Sequence, residues 1–102
     1  MNTLELEIQE ARAQSVHTGE DTLVIELVDG RTISVPLAWY PRLWYSSAEE
    51  RALFEIIGDG KYIHWPDLDE DLSVAGILAG RRSGESAESL KKWLADREKP
   101  GQ

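Results

Sequence analysis

The chain has 102 residues, 11 Lys and Arg against 19 Asp and Glu, a formal net charge of −8 and no cysteine. That length supports one domain that buries roughly two thirds of its unfolded surface in a single core, and the missing cysteines exclude disulfide stapling, thiolate metal sites and a Cys nucleophile. The charge repels phosphate backbones, which argues against non-specific nucleic-acid binding.

The opening "MNTLELEIQEARAQ" mixes acids and an Arg with scattered apolar residues, unlike the basic and then apolar segments of a secretory signal. No later run reaches the 18 or so apolar residues of a membrane span, so a cytoplasmic protein without membrane contact is expected. Leu4, Ile8 and Ala11 fall at helical spacing, although Leu4, Leu6 and Ile8 also alternate; a helix is the preferred reading.

"TLVIELVDGRTISVPL" is a β-hairpin, with Leu23, Ile25 and Leu27 alternating before the Asp-Gly pair and Ile33, Val35 and Leu37 after it. A two-residue loop would scatter these residues over both faces. A three-residue loop, Val28-Asp29-Gly30, with Gly30 left-handed, instead sets Ile25 opposite Ile33 and Leu23 opposite Val35. In "FEIIGDGKYIHW" a two-residue Asp59-Gly60 loop is expected, placing Ile56 opposite Ile63 and Phe54 opposite Trp65. Between the hairpins, Ser47 and Glu50 form a capping box for a short helix ending near Leu53. Ser73 is expected to cap a further short helix that stops at Gly80. The last predicted helix is "SAESLKKWLADR", with Ala87, Leu90, Trp93 and Leu94 on one face, joined by the polar "RRSGES" and therefore loosely attached. The fold class is α+β: a small antiparallel sheet built from two hairpins, short helices and a C-terminal helix. Residues 1–83 form the domain and 84–102 a helical extension.

The acidic run Asp67, Asp69, Glu70 and Asp71 invites a metal reading. As an EF-hand loop started at Asp67 it would need Gly and Glu where Leu72 and Leu78 stand. His64 points away from Ile63 and Trp65 by strand alternation, so a structurally hydrogen-bonded His is preferred to a ligand. No G-x-S-x-G elbow is present, and "GDGK" lacks the length and hydroxyl residue of a phosphate loop. The run reads first as a strand-to-helix corner, with Pro66 ending the strand and the acids at the positive end of the Ser73 helix. It also serves as a contact for a basic partner. "LAWYPRLWY" gathers Trp39, Tyr40, Arg42, Trp44 and Tyr45, a composition shared by core plugs and interface hot spots. Trp39 is expected to be structural and Trp44 or Tyr45 exposed.

At "DGRTISVPLAWYPRL", "GDGKYIHWPDLDEDLSV" and "GILAGRRS" the chain resembles the domain-of-unknown-function family 2442, over most of residues 11–83. The resemblance implies a small antiparallel α+β domain, sometimes followed in longer relatives by a helix-turn-helix domain, and names no chemistry. Some relatives are encoded beside another small protein, and one such pair is regarded as a toxin-antitoxin system with this type of chain as the antitoxin.

Residues 1–80 hold 5 bases and 15 acids, whereas 81–102 hold 6 bases and 4 acids, so an acidic body suits a basic protein partner. The expected function is therefore non-enzymatic protein binding, antitoxin-like, without metal or other cofactor. A small basic toxin is a candidate partner and a second copy of the chain another. The rival readings are a metal-dependent hydrolase using Asp67, Asp69, Asp71 and His64 with Mg²⁺ or Mn²⁺, and a transcriptional regulator by analogy with longer relatives.

Overall fold

The computed structural model describes Ile8 and residues 10–98. The helix expected around Leu4, Ile8 and Ala11 lies largely outside the described residues. The chain forms two three-stranded antiparallel sheets. The first contains β1 (Ala13–Thr18), β2 (Thr22–Leu27) and β3 (Thr32–Pro36). The second contains β4 (Glu55–Ile57), β5 (Tyr62–Trp65) and β6 (Glu70–Ser73). Between them lie α1 (Pro41–Trp44) and α2 (Ala48–Ala52); α3 (Val74–Leu78) and α4 (Ala87–Arg97) follow the second sheet. The α+β class thus holds, and each hairpin gains a third strand.

Both hairpin registers follow from the apolar rows. In the first, Leu23 faces Val35 and Ile25 faces Ile33. Its loop is Val28-Asp29-Gly30, closed by the Leu27 N–H donating to the Arg31 carbonyl, with Gly30 at φ 96°. In the second, Ile56 faces Ile63, and the Phe54 and Trp65 rings lie 6.1 Å apart. Beyond Ile57 and Tyr62 the register continues to Gly58 and Lys61, where the Lys61 N–H donates to the Gly58 carbonyl at 3.2 Å, so Asp59-Gly60 is the two-residue turn expected. Gly58, Asp59 and Gly60 all take positive φ. Gly60 is sterically required as well, because a Cβ there would meet the Ala13 carbonyl at 3.0 Å and Arg12 Cβ at 3.1 Å. That close approach joins the two sheets, the Ala13 N–H donating to the Gly60 carbonyl at 2.7 Å.

The acidic run is not the strand-to-helix corner expected. Pro66 does end β5, but Pro66–Leu68 is a single 3-10 turn and Asp69 takes the left-handed conformation at φ 50°. The chain then returns as β6 alongside β5, with His64 opposite Asp71 and Trp65 opposite Glu70. No acid lies in the first turn of α3, so helix-dipole stabilisation does not explain these carboxylates. The caps do form as expected. Ser47 and Glu50 close a capping box on α2, and the Ser73 hydroxyl accepts from the Gly76 N–H to start α3.

One core joins the sheets. Leu23, Ile25, Leu37, Leu43, Ile63, Trp65, Leu68 and Val74 are fully buried, each contributing on the order of 1.5–3 kcal/mol of transfer free energy. The Trp65 indole N–H donates to the Arg51 carbonyl, so its burial leaves no unpaired donor. None of the residues of α4 is fully buried; Trp93 alone among them packs against the core.

Candidate functional site

The aromatic turn divides by face. Pro41 starts α1 at its first position, where its missing N–H costs nothing. With Tyr40 and Leu43 on the inner face of this turn, both buried in the core, Trp44 and Tyr45 are left outside. Trp44 is 44% and Tyr45 55% exposed. Trp39 is half-buried against the core and lies beneath the Arg82 guanidinium, 4.6 Å from the ring centre. Tyr40, a candidate contact in the sequence, is instead a core ring whose hydroxyl donates to the Arg81 carbonyl at 3.1 Å. Burial pushes its phenol pKa upward. The Ser83 N–H donates to the Trp39 carbonyl, so the "GRRS" segment wraps directly over the aromatic turn.

Arg42 links the aromatic turn to the acidic run. Its Nε and Nη2 donate to the Glu85 carboxylate at 2.6–3.0 Å, and its Nη1 donates to the Leu68 and Asp69 carbonyls. Glu85 was not foreseen, because a partner 43 positions away leaves no mark in local spacing. The mutual attraction raises the Arg42 pKa and lowers that of Glu85. Trp93 of α4 lies 5.2 Å from the same guanidinium and 4.5 Å from that of Arg97. The extension is therefore tied down by charge and ring contacts, more firmly than its polar linker suggested.

The four acids of the run have separate environments. Glu70 lies half-buried, and that burial raises its carboxyl pKa against the opposing pull of Arg42. Asp69 remains exposed, 3.8 Å from Arg42. Asp71 pairs with the His64 Nδ1 on the outer face of the second sheet. Asp67 borders a shallow groove with Leu53, Phe54, Glu55 and Pro66. Among the described residues no three or more His, Asp and Glu side chains are placed to hold a metal ion.

Beside the exposed Trp44 a groove of about 410 Å³ lies over one end of the first sheet, bordered by Asp21 and Thr22 on the β2 side and by Ser34, Val35, Pro36 and Ala38 on the β3 side. Trp44 was legible in the sequence but the groove was not, because it brings the start of β2, the end of β3 and the aromatic turn together.

The sequence model of one family, described as "Protein of unknown function (DUF2442)", matches residues 13–83. The chain belongs to the DUF2442 family. Two solved structures resemble this DUF2442 chain. A crystal structure of a protein of unknown function from Rhodospirillum rubrum is 29% identical, with TM-score 0.67, over 74% of this chain and 94% of the other. The solution structure of an uncharacterised protein from Chromobacterium violaceum is 26% identical, with TM-score 0.64, over 91% of this chain and 82% of the other. No curated protein matches the chain. The matched segment of this DUF2442 chain contains the aromatic turn, the acidic run and the "GRRS" wrap, and stops before Glu85 and α4.

Proposed function

We propose that this chain is a non-enzymatic protein-binding module that neutralises a basic partner by direct contact, in the manner of an antitoxin, in the cytoplasm. The observation that carries the reading is the pair Trp44 and Tyr45, held in solvent by a short helix whose other face is anchored in the core through Tyr40 and Leu43. Large exposed rings on a rigid support are the side chains from which interfaces draw most of their affinity. Support also comes from the acidic body, since a surface with a net charge of −8 speeds encounter with a basic protein.

The test uses the adjacent open reading frame of the host. Expressed alone, its product is expected to arrest growth, and co-expression with this chain is expected to restore it through a complex isolable at low ionic strength. Tyr45→Ala should weaken that complex by about tenfold or more while leaving the melting temperature unchanged. A neighbour product that is harmless alone and does not bind the purified chain would retire the reading.

A further inference from the structure

The direction of the backbone along β3 decides what can pair with this strand beside Trp44. The Leu27 N–H donates to the Arg31 carbonyl at 2.8 Å, and the Leu37 N–H donates to the Asp21 carbonyl at 2.9 Å. In an antiparallel ladder hydrogen-bonded pairs alternate with unbonded ones, so the pairs Leu23↔Val35 and Ile25↔Ile33 are the bonded ones. Val24↔Ser34 and Glu26↔Thr32 are not. Thr32 and Ser34 therefore aim both N–H and C=O away from β2, toward the side of β3 on which no strand of the described residues pairs, and Pro36 presents a carbonyl there. These are groups an incoming extended segment can satisfy. The opposite edge, β1, is packed by α2, and β4 offers only three residues.

Side chains at this end of the sheet state the partner's chemistry. Trp44, Pro36 and Ala38 supply apolar surface beside β3, and Asp21, whose carbonyl accepts from the Leu37 N–H on the β2 side, supplies a carboxylate to the same groove. An apolar side chain set against the indole and a cation set against Asp21 fit this order. The acidic surroundings, 15 acids to 5 bases over residues 1–80, attract the same partner.

We propose that β3 receives an extended Lys- or Arg-bearing segment of a partner protein as a fourth strand, with an apolar residue of that segment on Trp44. The proposal rests on the protein-binding reading above and adds the place and mode of contact. A second copy of the chain is the poorer occupant, because both copies carry a net charge of −8.

The test titrates the full chain with a short acetylated peptide alternating Lys and Val, followed by amide exchange and backbone NMR shifts. Saturable shifts at Thr32, Ser34 and Trp44 and slowed exchange at the Thr32 and Ser34 amides are expected. N-methylation of alternate peptide residues should abolish binding in one phase and spare it in the other, as strand pairing requires. Trp44→Ala should weaken the peptide about tenfold with an unchanged melt, and a Glu-for-Lys peptide should not bind. Absence of saturable shifts, shifts at Glu55 and Ile57 instead, or equal binding by the Glu peptide overturns the proposal. So does Thr32 and Ser34 protection that rises with protein concentration alone, which would mark self-pairing. A partner protein that binds through Tyr45 without protecting Thr32 and Ser34 would sink this inference and leave the protein-binding reading standing.

Discussion

Glu50 performs two tasks with one carboxylate. It accepts from the Ser47 N–H to close the capping box and from both terminal nitrogens of Arg97 on α4. Arg97 is the main reason its pKa falls from the ordinary 4.5 to about 2. A carboxyl depressed in the folded state contributes stability that is present above pH 4.5 and is lost as pH falls toward 2. The expected acid limb in a series of thermal melts therefore lies in that window. Glu50→Gln should keep the cap, through the amide oxygen, yet flatten the limb. Because the pair is only partly shielded, its loss at neutral pH should cost no more than about 1 kcal/mol. An unchanged acid limb in Glu50→Gln would show that other carboxylates carry it. The aromatic residues separate by burial in the same way. Trp65→Ala and Tyr40→Ala, which empty core volume, should each cost on the order of 3–5 kcal/mol, whereas Tyr45→Ala should stay within about 0.5 kcal/mol of the parent. Denaturant melts of the three variants check the ranking.

Elements whose residues alternate beside an Asp-Gly turn were legible, and elements whose pairing depends on distant residues were not. The β2–β3 register could be derived because only one loop length puts Leu23, Ile25, Ile33 and Val35 on one face. β1 was missed. Its "AQSVHT" has few apolar residues, and its register slips between Ala13 and Ser15, which breaks the alternation. β6 was missed because "EDLS" opens with two acids, a composition that strands disfavour. Tertiary context overrides that preference: β5 supplies the ladder, Asp71 is held by His64, and Glu70 faces Arg42. The candidate site was legible as two separate clusters, the aromatic turn and the acidic run. Their connection through Arg42 to Glu85 was not, since contact between distant segments is set by the fold. Glu70 is the exception within β6, a half-buried carboxylate with its pKa raised by that burial. A group whose folded pKa is raised favours folding below its unfolded value and opposes it above. Glu70→Gln should therefore raise the melting temperature at neutral pH and leave it unchanged near pH 3. A lower melt at neutral pH would mean that attraction to Arg42 outweighs desolvation.

At the scale of the whole molecule, the core and the C-terminal extension are held by different forces. Among the described residues, the buried apolar ones all lie between Ala11 and Ile77, drawn from both sheets, α1 and α3 and the turns beside them. The link after α3 is fastened at three points before α4 begins: Tyr40 to the Arg81 carbonyl, Ser83 to the Trp39 carbonyl, and Arg42 to Glu85. α4 itself adds the half-buried Trp93 and the Arg97–Glu50 pair. Partial burial of one indole between two guanidinium groups is worth about 1–2 kcal/mol, and a surface ion pair about 1 kcal/mol or less. Ending the chain after Ser86 preserves all three fastenings and removes these contacts together with the hydrogen bond from the Ser89 hydroxyl to Glu85. The shortened protein should lose about 2–3 kcal/mol of the roughly 5–15 kcal/mol available to such a domain, and still unfold in one cooperative transition. Its melting temperature should become less sensitive to added salt, because the truncation removes the Arg97–Glu50 pair, an ion pair that salt screens. The Arg42–Glu85 pair is better shielded, with side chains 15% and 10% exposed, and should persist. Calorimetry at low and high ionic strength on both lengths provides the measurement. A shortened chain without a native transition would place α4 inside the folding unit; one as stable as the parent would reduce Trp93 to a surface ornament.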